Sequence, residues 1–226
     1  MVSVKDQESV SSNRFRVSGF GCSGWAEHLK DEIMHRCITI AAVSFLVVLA
    51  AGCASPASRF YTLSATTTPA AASSDVSVAV GPVSVPVVVD RPEIVVTTSP
   101  NQVRLEEFNR WASPLQNNIA RVVAENLVAM LGTPRVTLSQ SLSADADYRA
   151  AIEVQRFEST LGEAATLDAV WTVSRAKDGK SQTGRTNVRE VTQGNGYDAL
   201  AAAHSRALAR LSQNIADAVR AIGQLQ

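Results

Sequence analysis

Cysteine and histidine are both scarce in this sequence: three of each in 226 residues. The cysteines stand at 22, 37 and 53, and the histidines at 28, 35 and 204. From residue 54 onward the chain has no cysteine and only His204, which excludes a disulfide framework, a Cys-based metal site and a His-rich zinc site there. Charge of one sign is missing too. Lys+Arg and Asp+Glu both number 21, for a formal net charge of zero. A neutral chain has no basic field with which to attract nucleic acid or anionic headgroups over its whole surface. Long apolar runs are absent: the run from Ile38 to Leu49 is about a dozen residues, where a membrane-spanning helix needs about 20. A phosphate-cradling loop is absent as well. Gly194-Asn195-Gly196 precedes a helical pattern but lacks both the full glycine fingerprint and the following lysine.

What is present is an export signal. Met34 to Cys53 has a short basic start (His35, Arg36), the apolar run, and a small-residue exit, Ala50-Ala51-Gly52, onto Cys53. The ending resembles the bacterial lipobox, with Ala50 where leucine is usual and Leu49 one place earlier. That resemblance implies that Cys53 is lipidated and becomes the first residue of the mature protein. The alternative is a buried helix ending at a structural cysteine, but no polar face interrupts the run. Ala54-Ser55 is not an Asp-type retention signal, so the resemblance implies the periplasmic face of the outer membrane. Residues 1–33 precede the signal and are expected to be a non-native or disordered extension, with Met34 as the start. Residues 34–52 are then the signal peptide, 53–75 the lipid anchor, a short strand and a flexible linker, and 76–226 a single domain. The mature stretch carries 16 Arg+Lys and 16 Asp+Glu.

Arg59 to Leu63 is short, aromatic and β-branched, and predicts a strand. Ser64 to Asp75 is rich in Ala, Thr, Ser and Pro and predicts a loop. Val76, Val78 and Val80 alternate with small residues in a half-buried strand pattern. Pro82, which donates no hydrogen bond, is expected to interrupt that strand, with Val83 to Val85 resuming at a sheet edge. Asp90-Arg91-Pro92 predicts a turn, Glu93 to Thr98 a strand, and Gln102 to Leu105 a short hairpin partner, followed by a polar run from Glu106 to Trp111. Ser113-Pro114 predicts a helix start, with Ser at the N-cap. Leu115, Ile119, Val122, Val123, Leu127, Met130 and Leu131 then line one helical face up to Gly132. Arg135 to Leu138 is a short strand candidate. Tyr148 to Val154 and Ala165 to Val173 alternate as strands, Asp178-Gly179 marks a hairpin, and Gln182 to Val191 is a polar return strand. Leu200, Leu208, Leu211, Ile215, Val219 and Ile222 stripe a second long helix. The order predicts an α+β domain, a mostly antiparallel sheet with two long helices on one face.

Catalytic groups are hard to assemble. A nucleophilic triad needs a base beside Ser or Cys, and the only base is His204, on a helix among alanines. Glu106-Glu107 point to opposite faces if they lie on a strand, and Asp145/Asp147 fall in or beside a loop. The inventory argues against an enzyme, with no catalytic residue, no metal and no cofactor beyond a covalent lipid on Cys53.

Three stretches resemble a known family. Arg59-Phe60-Tyr61-Thr62-Leu63 resembles its opening. Val80-Gly81-Pro82-Val83, Asp90-Arg91-Pro92, Glu93-Ile94-Val95 and Arg110-Trp111-Ala112-Ser113-Pro114-Leu115 resemble its centre. Tyr197-Asp198-Ala199-Leu200 with Ser205-Arg206-Ala207-Leu208 resembles its closing helix. The family is the ABC-type transport auxiliary lipoprotein, of PqiC or YmbA type, and the resemblance covers nearly all of the mature chain. It implies a homo-oligomeric docking subunit on the outer membrane. The implied partner is an MCE-domain periplasmic protein fed by an inner-membrane ABC transporter, with phospholipid or other hydrophobic cargo. Asp90, Arg91, Arg104, Arg110 and Trp111 are the candidate partner-binding residues, since Trp and Arg are favoured at interface hot spots. The structural alternatives are that Trp111 packs on the first helix of the domain and that Arg91 pairs with Asp90 or Glu93. A lipoprotein of outer-membrane protein or envelope assembly, and a lipid-anchored periplasmic hydrolase, stay open beside this reading.

Overall fold

The computed structural model describes residues 24–51, 56–69, 74–138 and 145–224, with the side chains of the first helix described from 29 to 44. The chain divides into two units, Met1–Ser55 and Pro56–Gln226. In the first, a 28-residue helix, α1 (Gly24–Ala51), runs through Met34 without a break. Among the described residues no helix is long and apolar enough to cross a membrane.

The second unit is α+β, as the order of patterns predicts. Its elements are β1 (Arg59–Tyr61), β2 (Val78–Ser84), β3 (Glu93–Ser99), β4 (Gln102–Trp111), α2 (Leu115–Leu131), β5 (Val136–Leu138), β6 (Tyr148–Thr160), β7 (Ala164–Arg175), β8 (Ser181–Val191) and α3 (Tyr197–Gln224). The strands form two mixed sheets instead of one. The smaller has the order β1-β4-β3 and the larger β5-β2-β6-β7-β8. The long β6-β7-β8 ladders are antiparallel, while β2 pairs in parallel with both β5 and β6.

Both helices bury the stripes read from the sequence. On α2 these include Leu115, Ile119, Val122, Val123 and Leu127, and on α3 Leu200, Leu208, Leu211, Ile215 and Val219. Each of these side chains contributes about 1.5–3 kcal/mol when fully buried. Small residues between them, Ala203, Ala207 and Ser212, are buried as well. The Ser205 and Ser212 hydroxyls donate back to the carbonyls of Ala201 and Leu208 at 2.8 Å, which satisfies them inside the helix. Trp171 of β7 covers Gly184 directly opposite on β8, and its indole N–H donates to Thr186 Oγ1 at 3.0 Å. An aromatic ring over a glycine of an edge strand supplies the packing that the glycine lacks.

Several sequence expectations need correction. Pro82 does not interrupt β2. The strand continues through it with one extra residue, Val80 facing Ala150 and Val83 facing Ile152, so a bulge absorbs the missing donor. Gly81 takes φ +126°, a conformation open to glycine alone. Ser113 is not the N-cap of α2: Pro114 occupies that place with no side-chain cap. The polar run from Glu106 to Trp111 is not a separate segment but the second half of β4.

Ser64 to Thr67 is loop, as composition predicts, yet it is fastened to both helices. The Ser64 N–H donates to Ser205 Oγ at 3.1 Å and the Thr66 N–H to Asn126 Oδ1 at 3.3 Å, while Asn126 Nδ2 donates to Ser212 at 3.2 Å. Arg121 donates to the Leu63 carbonyl at 2.6 Å, and Leu63 itself is buried. The chain entering the domain is thus pinned at its first apolar residues.

Candidate functional site

The candidate partner-binding residues do not form one cluster. Trp111 is only 5% exposed. It sits edge-on to Phe157 (6.2 Å between centroids) and to His204 (6.3 Å), so its indole belongs to the core, against the stacked pair of Phe157 and His204 rather than on a contact surface. Arg110 donates to Glu93 Oε1 at 2.9 Å and to the Glu107 carbonyl at 3.0 Å, which locks the bulged end of β4 onto β3. Glu93 is therefore taken by Arg110, and Arg91 makes no ion pair among the described residues. Asp90 and Arg91 are both exposed, on the turn after Val89.

Arg104 lies toward the other end of β4. It donates to Glu106 Oε1 at 2.6 Å. Burial works to raise the Glu106 carboxyl, but hydrogen bonds from Tyr197 and Arg104 outweigh it and hold the group below its usual range. Tyr197 itself is pushed up to about 12, by burial first and by the Glu106 carboxylate second. Tyr61 stacks obliquely on Tyr197 at 5.7 Å and donates to Asn109 Oδ1 at 3.0 Å. This network joins β1, β4 and the start of α3, so Arg104 faces a structural cluster. Cys53, the candidate lipidation residue, lies outside the described residues.

What the sequence reading missed is apolar. The β3–β4 register sets Val95 beside Leu105 and Thr97 beside Val103. Val103 and Leu105 are exposed, and so are Val87 and Val88 on the neighbouring turn, Val87 to 91%. Val88, Val95, Thr97 and Val103 line a groove of about 180 Å³, closed on its far side by Arg156 and Phe157 of β6. Asp90 and Arg91 follow directly on the turn that forms its wall. The available signal was Val87 and Val88, which stand between Pro86 and the Asp90-Arg91-Pro92 turn and outside any predicted strand, and Val103 and Leu105 in a short hairpin partner.

Catalytic chemistry finds no accessible site in the described groups. His204 Nε2 lies 2.8 Å from Ser159 Oγ, which is the pairing a nucleophilic serine needs, but the pair is closed off from solvent. His204 Nδ1 has no hydrogen-bond partner, so no third group orients the ring. Burial pushes the imidazole down to about 3, which leaves it neutral. The Asp147 carboxylate accepts from the Ser77 N–H (2.8 Å) and hydroxyl (2.6 Å), and these bonds hold it below its usual range and join β2 to β6. Glu107 is exposed while Glu106 turns to Tyr197, so the adjacent pair does divide between faces. Among the described residues no three acidic, His or Cys side chains are placed to hold a metal ion.

The described domain is thus an α+β body with an apolar groove beside an exposed turn. The chain belongs to the family of ABC-type transport auxiliary lipoprotein components, whose model matches residues 61–216. Among curated proteins no relative matches. Two crystal structures share the fold. One, of an uncharacterised protein, is 23% identical, with a TM-score of 0.61 over 73% of this chain and 99% of its own. The other is protein XCC0632 from Xanthomonas campestris, assigned to DUF330. It is 22% identical, with a TM-score of 0.58 over 74% of this chain and 99% of its own.

Proposed function

We propose that this auxiliary lipoprotein is a docking subunit held at the periplasmic face of the outer membrane by lipid on Cys53. In this reading it engages an MCE-domain protein of an ABC system that moves phospholipid or other hydrophobic cargo between the two membranes. It works by binding and not by catalysis, without a cofactor, and as a homo-oligomer. Three acyl chains, palmitate among them, would make the anchor effectively permanent, since each buried CH₂ contributes about 0.8 kcal/mol.

The observation that carries the reading is the groove between the Val87–Val88 turn and the β3–β4 hairpin, with Asp90 and Arg91 exposed beside it. Exposed apolar residues with charged side chains beside them have the composition of a protein-binding patch. Arg91, exposed and without an ion pair among the described residues, is placed to meet an acidic group on the partner. Arg104 and Arg110 contribute at most through the outer edges of side chains already engaged by Glu106 and Glu93.

The test is affinity capture of the tagged, lipidated protein from envelope membranes in mild detergent. Recovery of an MCE protein with the native chain, and its loss with Val103→Asp, supports the reading. Recovery of an outer-membrane barrel instead would favour the envelope-assembly alternative, and recovery of neither would remove the docking role.

A further inference from the structure

The short strand β1 brings a second apolar group to the surface, apart from the groove. Phe60 is 64% exposed and Phe108 is exposed to a lesser degree. The parallel β1–β4 register sets Phe60 directly opposite Arg110, two residues on from Phe108. Tyr61, opposite Trp111, points the other way into the core. Phe60 and Phe108 therefore share the outward side of the small sheet, beside the half-exposed Arg110 guanidinium.

We propose that this Phe60–Phe108 edge rests on the lipid surface and fixes which side of the domain faces the membrane. The inference rests on the reading of Cys53 as the lipidated residue. Arg59 is the sixth residue after Cys53, with five residues between them, and a fully extended chain covers about 3.3–3.6 Å per residue, so β1 lies within about 20 Å of the acyl chains. From β1 the chain is fastened at Leu63, Ser64 and Thr66 to α2 and α3, so the domain cannot swing away on a long leash. A tether this short holds the patch at high effective concentration against the bilayer. Two phenylalanines that bind a vesicle poorly on their own are then enough to set orientation. The groove at Val103 lies toward the opposite end of β4 from Phe108 and stays available for a protein.

The experiment uses the full-length protein, matured and lipidated in cells, in vesicles of phosphatidylethanolamine and phosphatidylglycerol doped with brominated lipid. Processing at Cys53 removes Cys22 and Cys37, so Glu107→Cys, exposed next to Phe108, places a single free thiol for an environment-sensitive fluorophore and keeps both phenylalanines. Lys177→Cys, on the β7–β8 hairpin, is the reference. Quenching is expected to be about twofold stronger at 107 than at 177, because interfacial apolar groups sit about 5–10 Å into the headgroup boundary. Adding Phe60→Ser and Phe108→Ser is expected to lower the signal at 107 toward that at 177. Vesicle-bound, acylated protein with equal quenching at both positions overturns the proposal and leaves the lipid anchor standing. Equal quenching together with a change at 107 on adding a partner protein assigns the patch to that partner and overturns it also. Protein that floats free and shows no acyl mass on Cys53 removes the anchor reading and the proposal together.

Discussion

The two sheets of the domain handle exposure in opposite ways. The five-stranded sheet lays one face under α2 and α3 and covers the other with charge. Asp168, on that outer face, is 1% exposed and accepts from Arg185 at 2.7 and 2.6 Å and from Asn187 at 3.2 Å. The hydrogen bonds from Arg185 hold its carboxyl below the usual range. Arg156 and Glu158 pair beside it. The three-stranded sheet buries Ile94, Val95 and Val96 but leaves Phe60, Val103, Leu105 and Phe108 at the surface. Most of the buried core belongs to the first sheet and the helices, and the second sheet carries exposed apolar residues beside its buried ones. Leaving such surface exposed costs solubility, and it persists where something binds it.

Substitutions should separate the two sheets. Leu167→Ala, in the wholly buried row of β7, should cost about 3–4 kcal/mol, as large-to-small changes in well-packed cores do. Leu105→Ser, on the small sheet, should stay within about 0.5 kcal/mol, as surface changes do, and should weaken partner capture instead. Urea melts of both variants check the pair. Equal losses would mean that the small sheet is as structural as the large one. Gly184→Ala comes next. A Cβ there would overlap the Trp171 ring, and the ring is held by Thr186, which in turn accepts from Asn214 of α3 at 2.8 Å. Overpacking of this kind costs about 1–3 kcal/mol, read from the same melts.

The junction between the sheets should respond to pH. His204 is pushed down to about 3 by burial, well below the 6.5 usual for a histidine. The unfolded chain therefore binds a proton on this residue at a pH where the folded chain does not. Its neutral form contributes fully above about pH 6.5. That contribution is lost as pH falls toward 3, at about 1.4 kcal/mol per pH unit once the unfolded imidazole is protonated. Asp147 and Asp168, both held low, add losses only in the carboxylate range, so the interval from pH 7 to 5 isolates the histidine. Denaturation midpoints should drop over that interval in the native chain and stay flat in His204→Leu. A drop of equal size in both would assign the effect elsewhere.

Much of the large sheet and its helices was legible in the sequence, because β6, β7, α2 and α3 each keep one face buried along most of their length. The α2 and α3 stripes, the alternation of Tyr148 to Val154 and Ala165 to Val173, and the Asp178-Gly179 turn all survive into the structure. The small sheet was harder to read. The second half of β4 is polar on both sides, since Glu106 turns to Tyr197 and Arg110 to Glu93, and the register slips between Glu93 and Ile94, so no period of two remains. The burial of His204 and Trp111 depends on Ser159 and Phe157, partners far away in the chain, which local pattern cannot reveal. Of the candidate contact residues, Asp90 and Arg91 fall beside the groove, but the groove itself draws on Val95 and Val103, which a sequence reading assigns to strands, and on the turn at Val88.

The smallest effects concern two arginines of similar sequence context. Arg110 bridges β4 to β3 through a half-exposed pair with Glu93, and such pairs contribute up to about 1 kcal/mol. Arg91 makes no ion pair among the described residues and projects from an exposed turn. Arg110→Ala should therefore lower stability by about 0.5–1 kcal/mol, with a dependence on salt, because screening weakens the pair it removes. Arg91→Ala should change stability by less than about 0.5 kcal/mol at any salt concentration and should act only on partner capture. Melts in low and high salt for both variants, set beside capture yields, test this contrast. If Arg91→Ala destabilises the domain as much as Arg110→Ala, the turn it occupies is part of the scaffold, and the contact surface must be sought in the groove residues alone.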